Sequence, residues 1–368
     1  MKEKAGIKDI AKQLGISPAT VSRALNDKPG VSANLRQRVL AVAAELSFTP
    51  NLAARSLVGA ATLTAAFMVH QQGFPVASDP FYFVILRGVE RALAEAGYHV
   101  VLATVGDGAI QADHLRVIRE RRVDGAILAG PDIPPALIMS LVQTGMPLVL
   151  VDNALERTAL NCVLCDNREG ARFAVEHLLW HGHRRVAFAG GPISWLSTRE
   201  RGDGYREAMR ERGLETVAVH EDATTVQTGV HAGHALLDLE ERPDAIFAVN
   251  DAMALGVIRA ARERGLRVPE DLAVVGFDDI SMAESSHPTL TTVRIAKELM
   301  GEIAARRLLE LVAWDRDDSG GAGGAGAAGT RADRGDMSEH KMPVKSVVGT
   351  TLVVRASCGC TSDAQVRG

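Results

Sequence analysis

From about Leu63 to Gly276 the chain repeats one unit, a short apolar run followed by a stretch with helical spacing. The runs fall at 65–69, 99–103, 125–128, 148–151, 186–189, 245–249 and 273–276. Helical spacing of apolar residues marks 87–96, 115–121, 135–144, 173–180, 204–212 and 252–264. A strand that is apolar on both faces has to be covered on both faces, and helical crossovers both cover it and join parallel neighbours. The rhythm restricts this region to an α/β architecture of parallel sheets between helical layers. A length of 368 residues leaves room for two to three domains.

The first fifty residues break the rhythm. Ile7, Ile10, Ala11 and Leu14 make one apolar helix face, Gly15 stops that helix, and Ser17-Pro18 opens another. Val21, Ala24 and Leu25 point the second helix inward, which leaves Ala19, Thr20, Ser22, Arg23 and Asn26 outward. Ser32 caps an expected third helix to about Leu46, with Leu35, Val39, Val42, Ala43 and Leu46 inward. A short helix with small polar groups and one Arg on its free face suits the major groove of DNA, where Arg bonds guanine edges. A plain helical hairpin would share the pattern, so charge is the next discriminator. Residues 1–58 hold nine Lys/Arg and four Asp/Glu, net +5, whereas the whole chain is −4, so residues 59–368 carry −9. A basic module on an acidic body is the distribution expected of a phosphate-contacting headpiece.

No apolar run is long enough to span a membrane, and the N-terminus lacks a secretory apolar core, so a cytoplasmic protein without membrane contact is expected. Cys162 and Cys165 have metal-site spacing, but their segment reads as a strand, where residues three apart face opposite ways. Cys358 and Cys360 lie near the chain end and would hold zinc only if the tail folded back. Free thiols, no metal and no cofactor are the expectation.

Residues 7–26, Val31-Ser32 and Asn51-Leu52-Ala53-Ala54-Arg55-Ser56-Leu57 resemble the headpiece and hinge of the lactose/galactose-repressor (LacI/GalR) family of bacterial transcription regulators, and the resemblance continues nearly to the C-terminus. It implies an N-terminal all-α helix-turn-helix headpiece (1–50), a hinge helix (51–60) and an α/β effector domain. That domain would be two doubly wound parallel-sheet subdomains, as in the periplasmic sugar-binding proteins: 61–162 with 293–314, and 163–292 with 344–357. The Gly/Ala-rich, charged stretch 315–343 departs from the family and reads as a flexible insert. In the family, paired hinge helices enter the minor groove and wedge a Leu into a base step, and Leu57 matches it. The implied DNA-binding residues are Ser17, Ala19, Thr20, Ser22, Arg23, Asn26, Asn51, Arg55 and Leu57. Pro18 and Ala19 stand where the family varies its reading residues. Both are small and apolar, so discrimination is expected mainly from Arg23, Leu57 and DNA deformability.

In open parallel sheets a ligand sits beyond the carboxyl ends of the strands. Asp152, Asn250-Asp251 and Asp278-Asp279 stand at such ends, and Arg199 lies in a loop after 186–189. Each could instead be a loop or helix cap, Asp251 above all. The resemblance covers Ser197-Thr198-Arg199-Glu200-Arg201, Asn250-Asp251-Ala252-Met253-Ala254 and Val275-Gly276-Phe277-Asp278-Asp279-Ile280. It implies that Arg199, Asn250 and Asp278 bond the effector, joined by Asp152. The aromatic residues Phe81, Tyr82 and Trp195 are candidates to line the cleft, and Asp79-Pro80-Phe81-Tyr82 resembles the family's Asn-Pro-Phe-Phe with Asp replacing Asn. Carboxylates, an amide and a guanidinium suit vicinal hydroxyls, which favours a sugar. A purine would want more aromatic stacking than a chain with 4% aromatics promises.

The expected function is a homodimeric repressor of carbohydrate-utilisation genes on a pseudo-palindromic double-stranded DNA operator, controlled by a sugar-type effector. The alternative within the family is corepression by a purine or by a phosphocarrier protein. An enzyme on the same fold would need a motif such as GxGxxG after the first strand, a P-loop or HExxH, and none is present. A stand-alone sugar-binding protein would leave the headpiece unexplained.

Overall fold

The computed structural model describes residues 6–25, 29–46, 48, 61–70, 80–106, 112–320 and 342–360. They divide into two units, Met1–Thr62 and Leu63–Gly368. Helices of eight residues or more are labelled. Asn26, Asn51, Arg55, Leu57, the hinge at 51–60 and most of the expected insert lie outside the described residues.

The first unit is three helices, α1 (Ile7–Leu14), α2 (Pro18–Leu25) and α3 (Ala33–Glu45). Gly15 ends α1 in left-handed backbone at φ 65°, a conformation without steric penalty for glycine. The Ser17 hydroxyl accepts the Thr20 N–H at 3.1 Å and starts α2; Ser32 accepts the Leu35 N–H at 3.3 Å and starts α3. Ile10, Ala11, Val21, Ala24, Val39 and Ala43 are buried together, with Ile7, Leu14, Leu25, Leu35, Val42 and Leu46 packed around them.

The second unit holds two parallel sheets. The larger has β1 (Thr64–His70), β2 (His99–Val105), β3 (Gly125–Ala129), β4 (Leu148–Val151), β5 (Cys162–Cys165) and β11 (Lys345–Val348), in the order β11-β5-β4-β3-β1-β2. The smaller has β6 (Val186–Gly190), β7 (Val217–His220), β8 (Ala245–Ala248) and β9 (Ala273–Val275), in the order β7-β6-β8-β9. Helices α4 (Pro80–Glu95), α5 (Pro135–Gln143) and α10 (Lys297–Gly320) belong with the first sheet. Those of the second are α6 (Asn167–Trp180), α7 (Leu196–Glu211), α8 (Val226–Leu237) and α9 (Asp251–Glu263). An antiparallel pair, β10 (Thr292–Ile295) with β12 (Thr350–Val353), carries the later crossovers between the halves.

Three expectations need correction. Segment 344–357 does not go whole to the second half, because β11 pairs in parallel with β5 in the first sheet, Lys345 opposite Cys162. The crossover expected near 163 comes after β5, whose four residues are all buried in that same sheet. Residues 315–320, read as the start of the insert, continue α10. Cys162 and Cys165 do face opposite sides of the sheet, one in each flanking core.

β7 and α8 were not expected from the apolar pattern. β7 is an edge strand with mostly exposed residues, and its apolar run, Val217-Ala218-Val219, is only three residues long. The Tyr205 hydroxyl accepts the Val217 N–H at 2.8 Å and donates to the Val186 carbonyl at 2.9 Å, joining this edge to β6. In α8, Gly229 and Gly233 weaken local helix propensity, yet tertiary packing requires a small residue. A Cβ on Gly229 would meet the Met253 backbone, and one on Gly256 would meet the backbones of Val226 and Gly229. Helices α8 and α9 therefore cross backbone against backbone.

Candidate functional site

On the headpiece, Ser17, Ala19 and Arg23 are exposed and Thr20 and Ser22 half-buried, all on or flanking the face of α2 opposite Val21 and Ala24. The apolar spacing sets this outcome, because burying Val21 and Ala24 turns the short polar residues and the guanidinium to solvent. The five residues form one continuous surface on a helix that starts at its cap, the geometry a reading helix needs.

The second site is a cleft of about 530 Å³ where the carboxyl ends of the two sheets meet. The first half contributes Val69, Phe81, Tyr82, Asp132 and Asp152; the second contributes Trp195, Thr198, Arg201, Thr224, Asn250 and Asp278. Asp152 directly follows β4 and Asp278 lies three residues past β9, as strand-end placement predicts. Both are buried non-glycine residues in left-handed backbone, at φ 56° and 106°. Such strain persists where surrounding structure over-determines it, and it concentrates at binding sites. Burial pushes the Asp152 carboxyl up to about 7. The Arg201 charge opposes that rise and the neighbouring Asp278 adds to it. The Tyr82 hydroxyl donates to Asp152 at 3.3 Å.

The loop carrying Asp278 is held from behind. Asp279 pairs with Arg294 at 2.6 Å and Arg355 at 2.7 Å, and Lys297 donates to the Asp278 and Asp279 carbonyls. Asp279 is therefore structural. Although burial works the other way, hydrogen bonds and charge from Arg294 and Arg355 hold its carboxyl below the usual value.

The structure moves the cleft's guanidinium by two residues. Arg199 does not line the cleft. It bonds the Ile193 and Ser194 carbonyls and reaches Glu156 at 2.8 Å. Arg201 lines it instead, 5% exposed, paired with Asp278 at 3.2 Å and donating to Asn167 at 2.8 Å and the Val249 carbonyl at 2.6 Å. Its guanidinium also lies 3.8 Å from the Phe277 ring centroid. The signal was present in the helical register. Thr198, Arg201, Gly202 and Tyr205 are spaced i, i+3, i+4, i+7 and form the buried face of α7, and Arg199 falls outside it.

Asn250 rather than Asp251 caps α9, its Oδ1 accepting the Met253 N–H at 2.9 Å while its Nδ2 donates to the Thr224 carbonyl at 3.2 Å. Asp251 turns inward, accepting from Thr292 at 2.5 Å and from the Ile280 N–H at 2.8 Å; burial pushes its carboxyl up to about 8. Phe81 and Tyr82 meet edge to face at 5.0 Å, and Trp195 lies across the cleft on the other half. Thr198, which the motif match does not single out, also lines the cleft. Its hydroxyl is buried and has no protein partner among the described residues.

Known proteins match both parts of the chain. Residues 6–51 match the family described as bacterial regulatory proteins, lacI family, and residues 175–358 match the periplasmic binding protein-like domain. The chain is 38% identical over 309 residues to the HTH-type transcriptional regulator CelR of Thermobifida fusca, covering 82% of this chain and 90% of the relative. It is 32% identical over 317 residues to the HTH-type transcriptional repressor PurR of Vibrio atlanticus (strain LGP32), covering 85% and 93%. A solved complex of the transcriptional regulator CelR with cellobiose superposes at a TM-score of 0.69 and 33% identity, covering 96% of this chain and 99% of that one. No helix among the described residues is long and apolar enough to cross a membrane.

Proposed function

The chain belongs to the LacI family of bacterial regulatory proteins, and from that premise we propose that it represses transcription as an operator-bound homodimer whose affinity for DNA is set by a neutral saccharide in the cleft. The observation that carries this reading is the charge inventory of the cleft. Among the described residues lining the cleft, Asp132, Asp152 and Asp278 face a single guanidinium, Arg201, which Asp278 and the Val249 carbonyl already engage. A phosphorylated sugar would meet net negative charge there. A neutral sugar instead offers hydroxyl donors to the carboxylates, an acceptor to the unpartnered Thr198 hydroxyl and a ring face to Trp195 or Tyr82. The cleft volume lies within the ~300–1,000 Å³ usual for small-molecule pockets. The cellobiose complex of CelR supports a saccharide with more than one ring; the likeness to PurR keeps purines in the test set.

In this reading α2 of each protomer enters the major groove at one half-site, with Arg23 reading base edges, and Asn51, Arg55 and Leu57 act in the minor groove. Phe81, Asp152, Trp195, Arg201, Asn250 and Asp278 hold the effector. The protein acts in the cytoplasm by binding, with no catalytic step.

Thermal melts with mono- and disaccharides, sugar phosphates and purines, each paired with operator release, test the proposal. A neutral sugar should raise the melting midpoint of the wild type. Arg201→Lys should weaken that response at least about tenfold, since a lysine cannot replace a buried fork of bonds. Arg199→Ala should retain it. A purine-only response, a sugar phosphate response, or loss in Arg199→Ala with retention in Arg201→Lys would overturn the saccharide assignment. No response to any small molecule would favour control by a protein partner.

A further inference from the structure

The tail after β12 folds back across the second half. Ser357 anchors it: its N–H donates to the Thr289 carbonyl at 3.0 Å, its hydroxyl donates to the Val274 carbonyl at 2.6 Å, and that hydroxyl accepts the Thr291 N–H at 2.8 Å. Gly359, at φ 76°, then turns the chain so that Cys358 and Cys360 both approach α6. His177 on that helix places its Nε2 3.3 Å from the Cys358 sulfur and 3.1 Å from the Cys360 sulfur. His181 follows one turn later, its ring centroid 4.7 Å from that of His177. The ligating atoms of His177, His181 and Cys360 all lie within 4.8 Å of one another.

We propose that His177, His181, Cys358 and Cys360 form a tetrahedral site for a soft divalent transition-metal ion, zinc fitting best, that clasps the chain end to α6. Two imidazoles and two thiolates are a donor set for structural zinc. A tetrahedral ion with Zn–N near 2.0 Å and Zn–S near 2.3 Å sets its N and S ligands about 3.6 Å apart. The observed 3.3 and 3.1 Å separations are already close to that. The paired donors come from the end of α6, where His177 and the capping His181 stand at i and i+4, and from a tail pinned by Ser357; the Cys358 sulfur, outside the close group of the other three, has to move toward them to complete the sphere. Thr291 supports the assembly, its hydroxyl lying 3.1 Å from the Cys358 sulfur. Four donors fill the sphere and leave no open position, so the ion is structural rather than catalytic. The clasp closes a loop from residue 181 to residue 358, so its stabilisation acts largely by restricting the unfolded chain.

The test is metal analysis of the untagged full-length protein, purified under reducing conditions and loaded with zinc or with cobalt. The wild type should hold one zinc per chain after gel filtration, and its cobalt form should show the intense visible bands and thiolate charge-transfer absorption of a tetrahedral site. His181→Ala, at an exposed position, and Cys360→Ser should each lower affinity by about tenfold or more. Chelation should lower the melting midpoint of the wild type but not of either variant. Substoichiometric zinc in the loaded wild type, unchanged zinc in both variants, or a Cys358–Cys360 disulfide in place of metal would overturn the proposal.

Discussion

Asp152 sits at the end of β4 with the Tyr82 hydroxyl on its carboxyl and Arg201 and Asp278 across the cleft. Its folded-state pKa of about 7 against an ordinary 3.8 means that, between those values, the native state holds a proton the unfolded chain has lost. Stability therefore falls as pH rises through that window. Asp251, raised to about 8, contributes with the same sign. Ion-paired carboxylates elsewhere act oppositely, so the difference between the wild type and Asp152→Asn isolates the effect. The variant should gain on the wild type in melting midpoint as pH rises from 4 to 7, and an unchanged difference would show that Asp152 titrates normally. Sugar hydroxyls donate best to the ionised carboxylate, so effector binding near pH 7 should release protons. That release is measurable by calorimetry in buffers of different ionisation enthalpy.

At the level of elements, the register of α7 decides which arginine serves the cleft. The motif string places two arginines two residues apart, and on a helix such neighbours point some 200° apart. Only the buried face, Thr198, Arg201 and Tyr205, can reach the cleft and core. The α8–α9 crossing makes a second demand at this scale. A methyl group at Gly256 would strike the Val226 carbonyl and the Gly229 backbone, neither of which can rotate away. Gly256→Ala should therefore destabilise by about 1–3 kcal/mol or more, despite alanine's better helix propensity, read as a lower urea midpoint at unchanged slope. A neutral or stabilising result would mean the helices separate freely.

For the whole molecule, an effector in the cleft would act on the operator only through its different affinity for two states of the protein. Coupling of about 1–3 kcal/mol, a 5–150-fold change, is the usual range, and linkage makes it reciprocal. The factor by which saturating sugar changes operator affinity should equal the factor by which operator DNA changes sugar affinity, each measured by titration at one salt concentration. Unequal factors would mean that sugar and operator are not binding one common pair of states. The sequence by itself determined what depends on local periodicity and on charge. That covers the three-helix headpiece with Ser17, Thr20, Ser22 and Arg23 on one surface, the parallel α/β body, and Asp152, Asn250 and Asp278 at strand ends, because spacing fixes a face and strand direction fixes an end. Only the tertiary structure decided what depends on contacts between distant segments. β11 entered the first sheet through β5, Gly229 and Gly256 were needed because two backbones meet, Arg201 replaced Arg199 as the cleft's cation, and Cys358 and Cys360 came to His177. Those outcomes depend on which surfaces are buried against each other, and periodicity along one segment carries no information about its partner.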